Sequence, residues 1–184
     1  DKLLGGLQRS DLIILAARPS LGKSTLAMNV ARYATGQGAI AGIFSLEMSA
    51  EQLVLRLLAG EARVDSQRLR RGLYNEAEER RLLDAIGFLS DLSIYVDDTP
   101  LQGVVEMRGK ARRLQMERGL DLLVVDYMQL MRGENRNGRT ENRVQEMSEI
   151  SRALKGLARD LDIPVLGISQ LSRAVEMRPS HRPQ

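Results

Sequence analysis

With 184 residues, no cysteine and a single histidine, the chain is long enough to bury one domain's core. It excludes a disulfide scaffold, thiolate catalysis and metal centres built from Cys or several His. Hydrophobic residues at 43% and charged residues at 28% argue against disorder, and no apolar run approaches the roughly 18 residues of a membrane span. The 27 Lys+Arg against 24 Asp+Glu leave only +3, so any nucleic-acid contact must come from local arginine clusters. At 3% aromatic content such contact would grip the backbone rather than stack on bases. These features predict a soluble, cytoplasmic domain with no membrane partner. The chain opens at Asp1 and ends at Arg182-Pro183-Gln184, which reads as a piece of a longer protein.

Strand-length apolar runs alternate with longer amphipathic stretches. The predicted strands are Leu12–Ala17, Ala39–Ser45, Leu92–Asp97, Asp121–Asp126 and Pro164–Ser169. Between the first two, Lys23–Ala34 has helical spacing at Leu26, Ala27, Val30, Ala31 and Ala34. Ser49 with Gln52 reads as a capping box opening a helix through Ala59, and Asn75 with Glu78 opens another. Val104–Arg118 and Val144–Leu161 complete the helices. This alternation predicts one α/β domain over 1–184, a mainly parallel sheet with helices on both faces. Ligands of such sheets bind at the carboxyl ends of the strands, so chemistry is sought there.

After the first strand comes Ala17-Arg18-Pro19-Ser20-Leu21-Gly22-Lys23-Ser24-Thr25, a phosphate-binding loop with Ala17 at the usual first glycine. Ser20, Leu21, Gly22, Lys23, Ser24 and Thr25 would surround nucleotide phosphates. Lys23 would reach the β- and γ-phosphates and need not be packed, and the Ser24 hydroxyl would ligate Mg²⁺. The metal-side carboxylate is Asp126 or Asp97. Asp126 follows the unbroken apolar run Leu122–Val125, as a central strand should have. Asp97 ends an alternating, edge-like strand and opens the turn Asp97-Asp98-Thr99-Pro100, so Asp126 is preferred. Glu47, after the second strand, could polarise an attacking water or merely favour the helix capped by Ser49; position alone leaves both open. Gln170, after the fifth strand, could donate to a γ-phosphate or simply be a polar strand exit.

Two arginine-bearing stretches leave this edge. Arg132–Arg143 carries Arg132, Arg136, Arg139 and Arg143 without an apolar anchor, and Leu171–Gln184 carries Arg173, Arg178 and Arg182. Arg68–Arg71 and Arg108–Arg118 read as solvated helix faces, and His181 receives no role.

Gly5-Gly6-Leu7, the Ala17–Ser24 loop, Phe44-Ser45-Leu46-Glu47-Met48-Ser49, Asp97-Asp98-Thr99-Pro100, Val125-Asp126-Tyr127-Met128-Gln129-Leu130 and Ser169-Gln170-Leu171-Ser172-Arg173 together resemble the DnaB family of bacterial replicative helicases. The resemblance runs the length of the chain, and Ala17 is usual in that family. It implies a RecA-like P-loop NTPase core from a homo-hexameric ring that encircles single-stranded DNA and unwinds duplex 5′ to 3′ using ATP and Mg²⁺. By resemblance, Lys23 serves the phosphates, Ser24 and Asp126 the Mg²⁺, Glu47 is the catalytic base and Gln170 the γ-phosphate sensor. The stretches holding Arg136 and Arg139 and the tail from Leu171 lie where the family builds its DNA-contacting channel loops. Primase and a helicase loader are implied as partners.

Family members also carry an N-terminal domain and, beyond the position of Arg182-Pro183, further strands and an arginine finger. The isolated piece is therefore expected to bind nucleotide weakly and hydrolyse it poorly, since such a finger is worth roughly 10³–10⁵ in rate. Two rival readings remain, a RecA- or RadA-type recombinase and a non-catalytic nucleotide switch. The wording of the phosphate loop and of Ser45–Met48 favours the helicase, and Glu47 with Gln170 argues against a pure switch.

Overall fold

A computed structural model describes residues 4–131 and 143–171, which form a five-stranded sheet in which every pairing is parallel. Its strands are β1 (Leu12–Ala17), β2 (Ala41–Ser45), β3 (Ile94–Asp97), β4 (Leu122–Asp126) and β5 (Val165–Gln170), in the order β1-β5-β4-β2-β3. The helices are α1 (Lys23–Gly36), α2 (Ala50–Ala62), α3 (Ser66–Arg70), α4 (Glu76–Ser90), α5 (Val104–Arg118) and α6 (Arg143–Leu161). A single 3₁₀ turn covers Met128–Leu130.

The strand order explains where the helices lie. From β1 through β2 to β3 the chain moves one way across the sheet; from β3 through β4 to β5 it moves back. Right-handed crossovers then place the helices of the two legs on opposite faces. The core divides accordingly. Ala27, Met28 and Ala31 of α1 pack with Ile43, Leu122, Val124 and Ile168. On the other face Met107 and Ala111 of α5 and Ile150, Leu154 and Leu157 of α6 pack with Phe44, Leu123, Val125 and Val165. Successive β4 residues alternate between the two clusters because strand side chains alternate between sheet faces. This is why β4 reads as an unbroken apolar run and is buried throughout.

The α3–α4 segment is a satellite. Ala62, Val64, Leu82 and Ala85 form a small cluster of their own, with α4 packed on α2. Asp65 caps α3, and the reciprocal capping box forms at Asn75 and Glu78. At Ser49 the side chain accepts from Gln52 N–H at 3.3 Å. Arg68 is exposed, as a solvated helix face should be, and its guanidinium also donates to both oxygens of buried Glu78, at 2.8 and 3.0 Å. Arg108 and Arg112, likewise, pair with Asp160 of α6.

Two strands begin later than their apolar runs. Ile40 N–H is taken by the Asp121 carboxylate at 2.9 Å, so β2 opens at Ala41. Leu92 N–H returns to Leu89 in the turn ending α4, so β3 opens at Ile94. The register then aligns the other ends: Ala17 pairs with Gln170, Ser45 with Asp126 and Phe44 with Asp97.

Beneath that edge Gly167 supports the Met128 side chain; a Cβ there would stand 2.9 Å from the Met128 sulfur, which has no exposed surface. Gly167→Ala should therefore cost about 1–3 kcal/mol by overpacking. Gly60→Ala, in α2 with open space around it, should stabilise by about 0.5–1 kcal/mol. Urea unfolding should move the two midpoints in opposite directions, with m unchanged.

Candidate nucleotide site

The loop between β1 and α1 turns through two left-handed residues, Ser20 (φ 64) and Gly22 (φ 81). Gly22 is the N-cap of α1 and supplies no side chain, so the first amides of the helix keep their donors for something outside the protein chain. Nothing lies within 4 Å of where a Gly22 Cβ would be, so its backbone angle and not packing calls for glycine.

Lys23 follows directly, and it is packed: the side chain is only 8% exposed, against the expectation that it need not be. Its Nζ lies 3.3 Å from Glu47 Oε2 and 4.9 Å from the centre of the Tyr127 ring. Glu47 remains 44% exposed. The loop carrying it is held from several sides. Leu46 N–H donates to the Asp126 carbonyl at 2.6 Å, and Ser45 Oγ–H donates to the Met48 carbonyl at 2.6 Å. The Ala50 amide at the start of α2 donates to Asp98 Oδ2 at 2.8 Å. Asp98 and Ser49 thus serve the helix N-terminus, while Glu47 faces Lys23.

Asp126 ends the central strand with no exposed surface, and neither carboxylate oxygen has a hydrogen-bond partner. Burial pushes its pKa up; the nearby Ser24 hydroxyl and Lys23 ammonium pull the other way. A buried, unpaired carboxylate beside the Ser24 hydroxyl fits a divalent cation, as a hard oxygen donor set should. Among the described residues no cluster of three or more His, Cys, Asp or Glu could hold a metal alone, so phosphate or water oxygens would complete such a shell. Gln170 closes the group on the β5 side, paired with Ala17 at the root of the phosphate loop. Residues 18–25, Glu47, Asp126 and Gln170 therefore share one edge. Arg136, Arg139 and the tail after Leu171 lie outside the described residues.

The whole chain, residues 1–184, matches the DnaB-like helicase C-terminal domain. The chain belongs to that family. It is 51% identical over 184 residues to the replicative DNA helicase DnaB of Geobacillus stearothermophilus and 50% identical to the replicative DNA helicase DnaC of Bacillus subtilis. In both cases the match covers all of this chain and 40% of the relative. Among solved structures, a DnaB-like replicative helicase described with its interactions with primase superposes with a TM-score of 0.88 at 33% identity. That match covers 97% of this chain and 43% of the other. A structure described as an ATPase domain gives 0.87 at 32% identity, covering 96% and 63%. The fold is the RecA-like core expected.

Within this DnaB-like domain, Asp97 and Asp126 occupy opposite environments. Burial alone would raise the Asp97 pKa, but Lys110 at 2.7 Å, the Thr99 amide at 3.0 Å and Gln102 Nε2 at 2.8 Å hold it down, to about 2. Asp97 is thereby turned toward α5 and is spoken for. Three residues near the site were assigned no role of their own, although they stand in the motifs that carry the family resemblance: Tyr127, Asp98 and Gln129. Tyr127 and Asp98 each immediately follow a strand that was identified, so their signal was available; Gln129, three residues past Asp126, offered none of that kind.

A carboxylate whose folded pKa is depressed adds stability that is present above its unfolded value, here 3.8, and is lost as pH falls through about 2. Asp97→Asn should lower the denaturation midpoint at neutral pH. The gap from wild type should close between about pH 4 and 2. A gap that stays constant across that range would show that the Asp97–Lys110 contact does not carry the effect.

Proposed function

We propose that this domain is the ATP-driven motor of a cytoplasmic, homo-hexameric replicative DNA helicase that moves 5′ to 3′ along single-stranded DNA and unwinds duplex. The observation that carries this reading is the Lys23–Glu47 pair beside the unpaired carboxylate of Asp126, all at the mouth of a phosphate loop. The DnaB-named relatives and the family match support the larger function. A solved relative described with primase supports primase as a partner, and a loader rests on resemblance alone. No described helix is long and apolar enough to cross a membrane.

In this mechanism the amides of residues 20–25 and the α1 N-terminus hold ATP phosphates. Ser24 and Asp126 would hold Mg²⁺, which neutralises phosphate charge when bound. The phosphates compete with Glu47 for the Lys23 ammonium. Glu47 is half-exposed, so its ion pair is weak enough to exchange. Released, Glu47 accepts a proton from water as the water oxygen bonds the γ-phosphorus and the bond to the β,γ-bridging oxygen breaks. ADP and phosphate leave. The alternative role for Glu47, favouring the α2 N-terminus, is already filled by Asp98 and Ser49.

In the full-length protein, Lys23→Ala and Glu47→Gln should each lower ATPase kcat by roughly 10²-fold or more. Asp126→Asn should abolish Mg²⁺-dependent turnover yet leave thermal stability unchanged or raised, because it removes an unpaired buried charge. Asp97→Asn should be mild in turnover. Steady-state kinetics with melting curves check all four; normal turnover in Lys23→Ala would make the loop a bystander.

DNA contact is assigned to Arg136 and Arg139 from their place in the sequence. Each arginine meeting a phosphate contributes about −0.7 to the slope of log affinity against log salt for single strands. Replacing both by Ala in the full-length protein should weaken binding equally for unrelated oligonucleotides and flatten that slope. An unchanged slope in salt titrations would move the contact elsewhere.

A further inference from the structure

The β4–β5 ladder stops at the Val125–Gly167 pair although both strands continue. Asp126 stays paired with Ser45 of β2, while Ser169 and Gln170 stay paired with Ala16 and Ala17 of β1. The sheet therefore loses its β4–β5 pairing at its carboxyl edge, between the strand ending in Asp126 and the strand ending in Gln170. Gln129 crosses that gap. Its Nε2 donates to the Gln170 carbonyl at 3.0 Å and to Ser169 Oγ at 2.8 Å, and Gln170 N–H donates to Gln129 Oε1 at 3.2 Å.

A primary amide carries the same donor and acceptor as a peptide group. Gln129 and Gln170 exchange both bonds, as a hydrogen-bonded pair in an antiparallel ladder does, so the side chain satisfies the backbone groups that the β4 neighbour no longer reaches. The turn Met128–Leu130 that presents Gln129 is itself anchored, because Met128 is wholly buried against Gly167. The backbone of Gln170 is thus held on one side by β1, which runs into the phosphate loop, and on the other by Gln129, three residues past Asp126.

We propose that Gln129 is a positioning residue that locks Gln170 to the exit of the Asp126 strand, so that γ-phosphate contact at Gln170 and metal contact at Asp126 are registered as one unit. This rests on Gln170 being the γ-phosphate sensor of the proposed ATPase. A sensor can report a phosphate only if its backbone is fixed, since otherwise strand movement absorbs the displacement. The segments that follow the clamp, after Met131 and after Leu171, are the two arginine-bearing stretches of the sequence.

The test uses the full-length protein and steady-state ATPase with single-stranded DNA present. Gln129→Met keeps the side-chain length and removes the amide. It should lower kcat roughly tenfold or more, with KM for ATP within about twofold, because misplacing a reacting-site group acts on the transition state. Its melting temperature should stay within a few degrees of wild type, as about 1 kcal/mol of hydrogen bonding predicts. Gln170→Ala should show the same kcat loss, and the double variant should be no slower than Gln170→Ala alone. Gln129→Glu keeps the acceptor for Gln170 N–H but loses the donors, and should also lower kcat; it decides the matter if the Met variant does not fold. Wild-type kcat in Gln170→Ala overturns the sensor reading and this inference with it. A tenfold loss in Gln170→Ala beside wild-type kcat in the folded Gln129 variants overturns the clamp alone.

Discussion

A carboxylate with no exposed surface and no hydrogen bond ends the central strand, and the rest of the architecture makes that tolerable. An unpaired buried charge costs several kcal/mol, which Asp126 meets partly by a raised pKa. The compensation is local to β4, whose four preceding residues are buried in alternation in two separate hydrophobic clusters. That strand lies in the middle of the sheet because the two legs of the chain close on it from both sides. The destabilised group is therefore set in the best-packed part of the protein, where relaxation or water entry would cost most. Stability is lower than an apolar residue there would give, and what is gained is an anionic oxygen pair aimed at the ligand edge.

The neighbouring edge strand shows the opposite solution. Asp97 has three donors around it and its carboxyl is held near 2, so it behaves as a fastened corner of the turn into α5. Asp98 beside it reaches back to the first amide of α2 and fixes the far end of the Glu47 loop. Two consecutive aspartates thus brace the scaffold, while the carboxylate oxygens of a third, on the central strand, accept no hydrogen bond. Environment separates them, since the residue type is the same.

This difference was legible in the sequence only as a pattern. The unbroken run Leu122–Val125 and the alternation Ser93–Val96 were enough to rank Asp126 above Asp97, because a parallel sheet buries central strands on both faces. The long helices and the ends of β1 to β4 followed from period and caps, while β5 runs one residue further than expected, to Gln170; the placing of Lys23, Glu47, Asp126 and Gln170 at one edge followed from the rule about carboxyl ends. The strand starts at Ala41 and Ile94 did not, because hydrogen bonds from Ile40 to Asp121 and from Leu92 to Leu89 compete with the ladder. The pairing of Arg68 with Glu78 escaped for a related reason: a helix-face pattern cannot show that Glu78 lies within reach of an exposed arginine. Gln129 was hidden more deeply, since its partner is the backbone of Gln170, 41 residues along the chain. Whether that backbone is free depends on where two ladders part.

The parting of those ladders also explains why polar side chains, and not main chain, connect the members of the site. Along β2, β4 and β5 the peptide groups bond one another, so these strands move together as far as Val125 and Gly167. Past Val125 and Gly167 the contacts change character. Leu46 holds the Asp126 carbonyl through backbone, but Lys23 meets Glu47, and Gln129 meets Gln170, through side-chain atoms. Side-chain contacts can be exchanged for ligand contacts without unpairing a strand. The Lys23–Glu47 pair is of that kind, with a half-exposed partner and a cation already packed against Tyr127. Arriving phosphates would find the cation in place and its counter-ion replaceable, whereas Gln129 and Gln170 share two reciprocal bonds and give way less readily. The edge therefore divides into one contact built to be exchanged and one built to hold, and a nucleotide-driven displacement would enter through the first and be carried by the second.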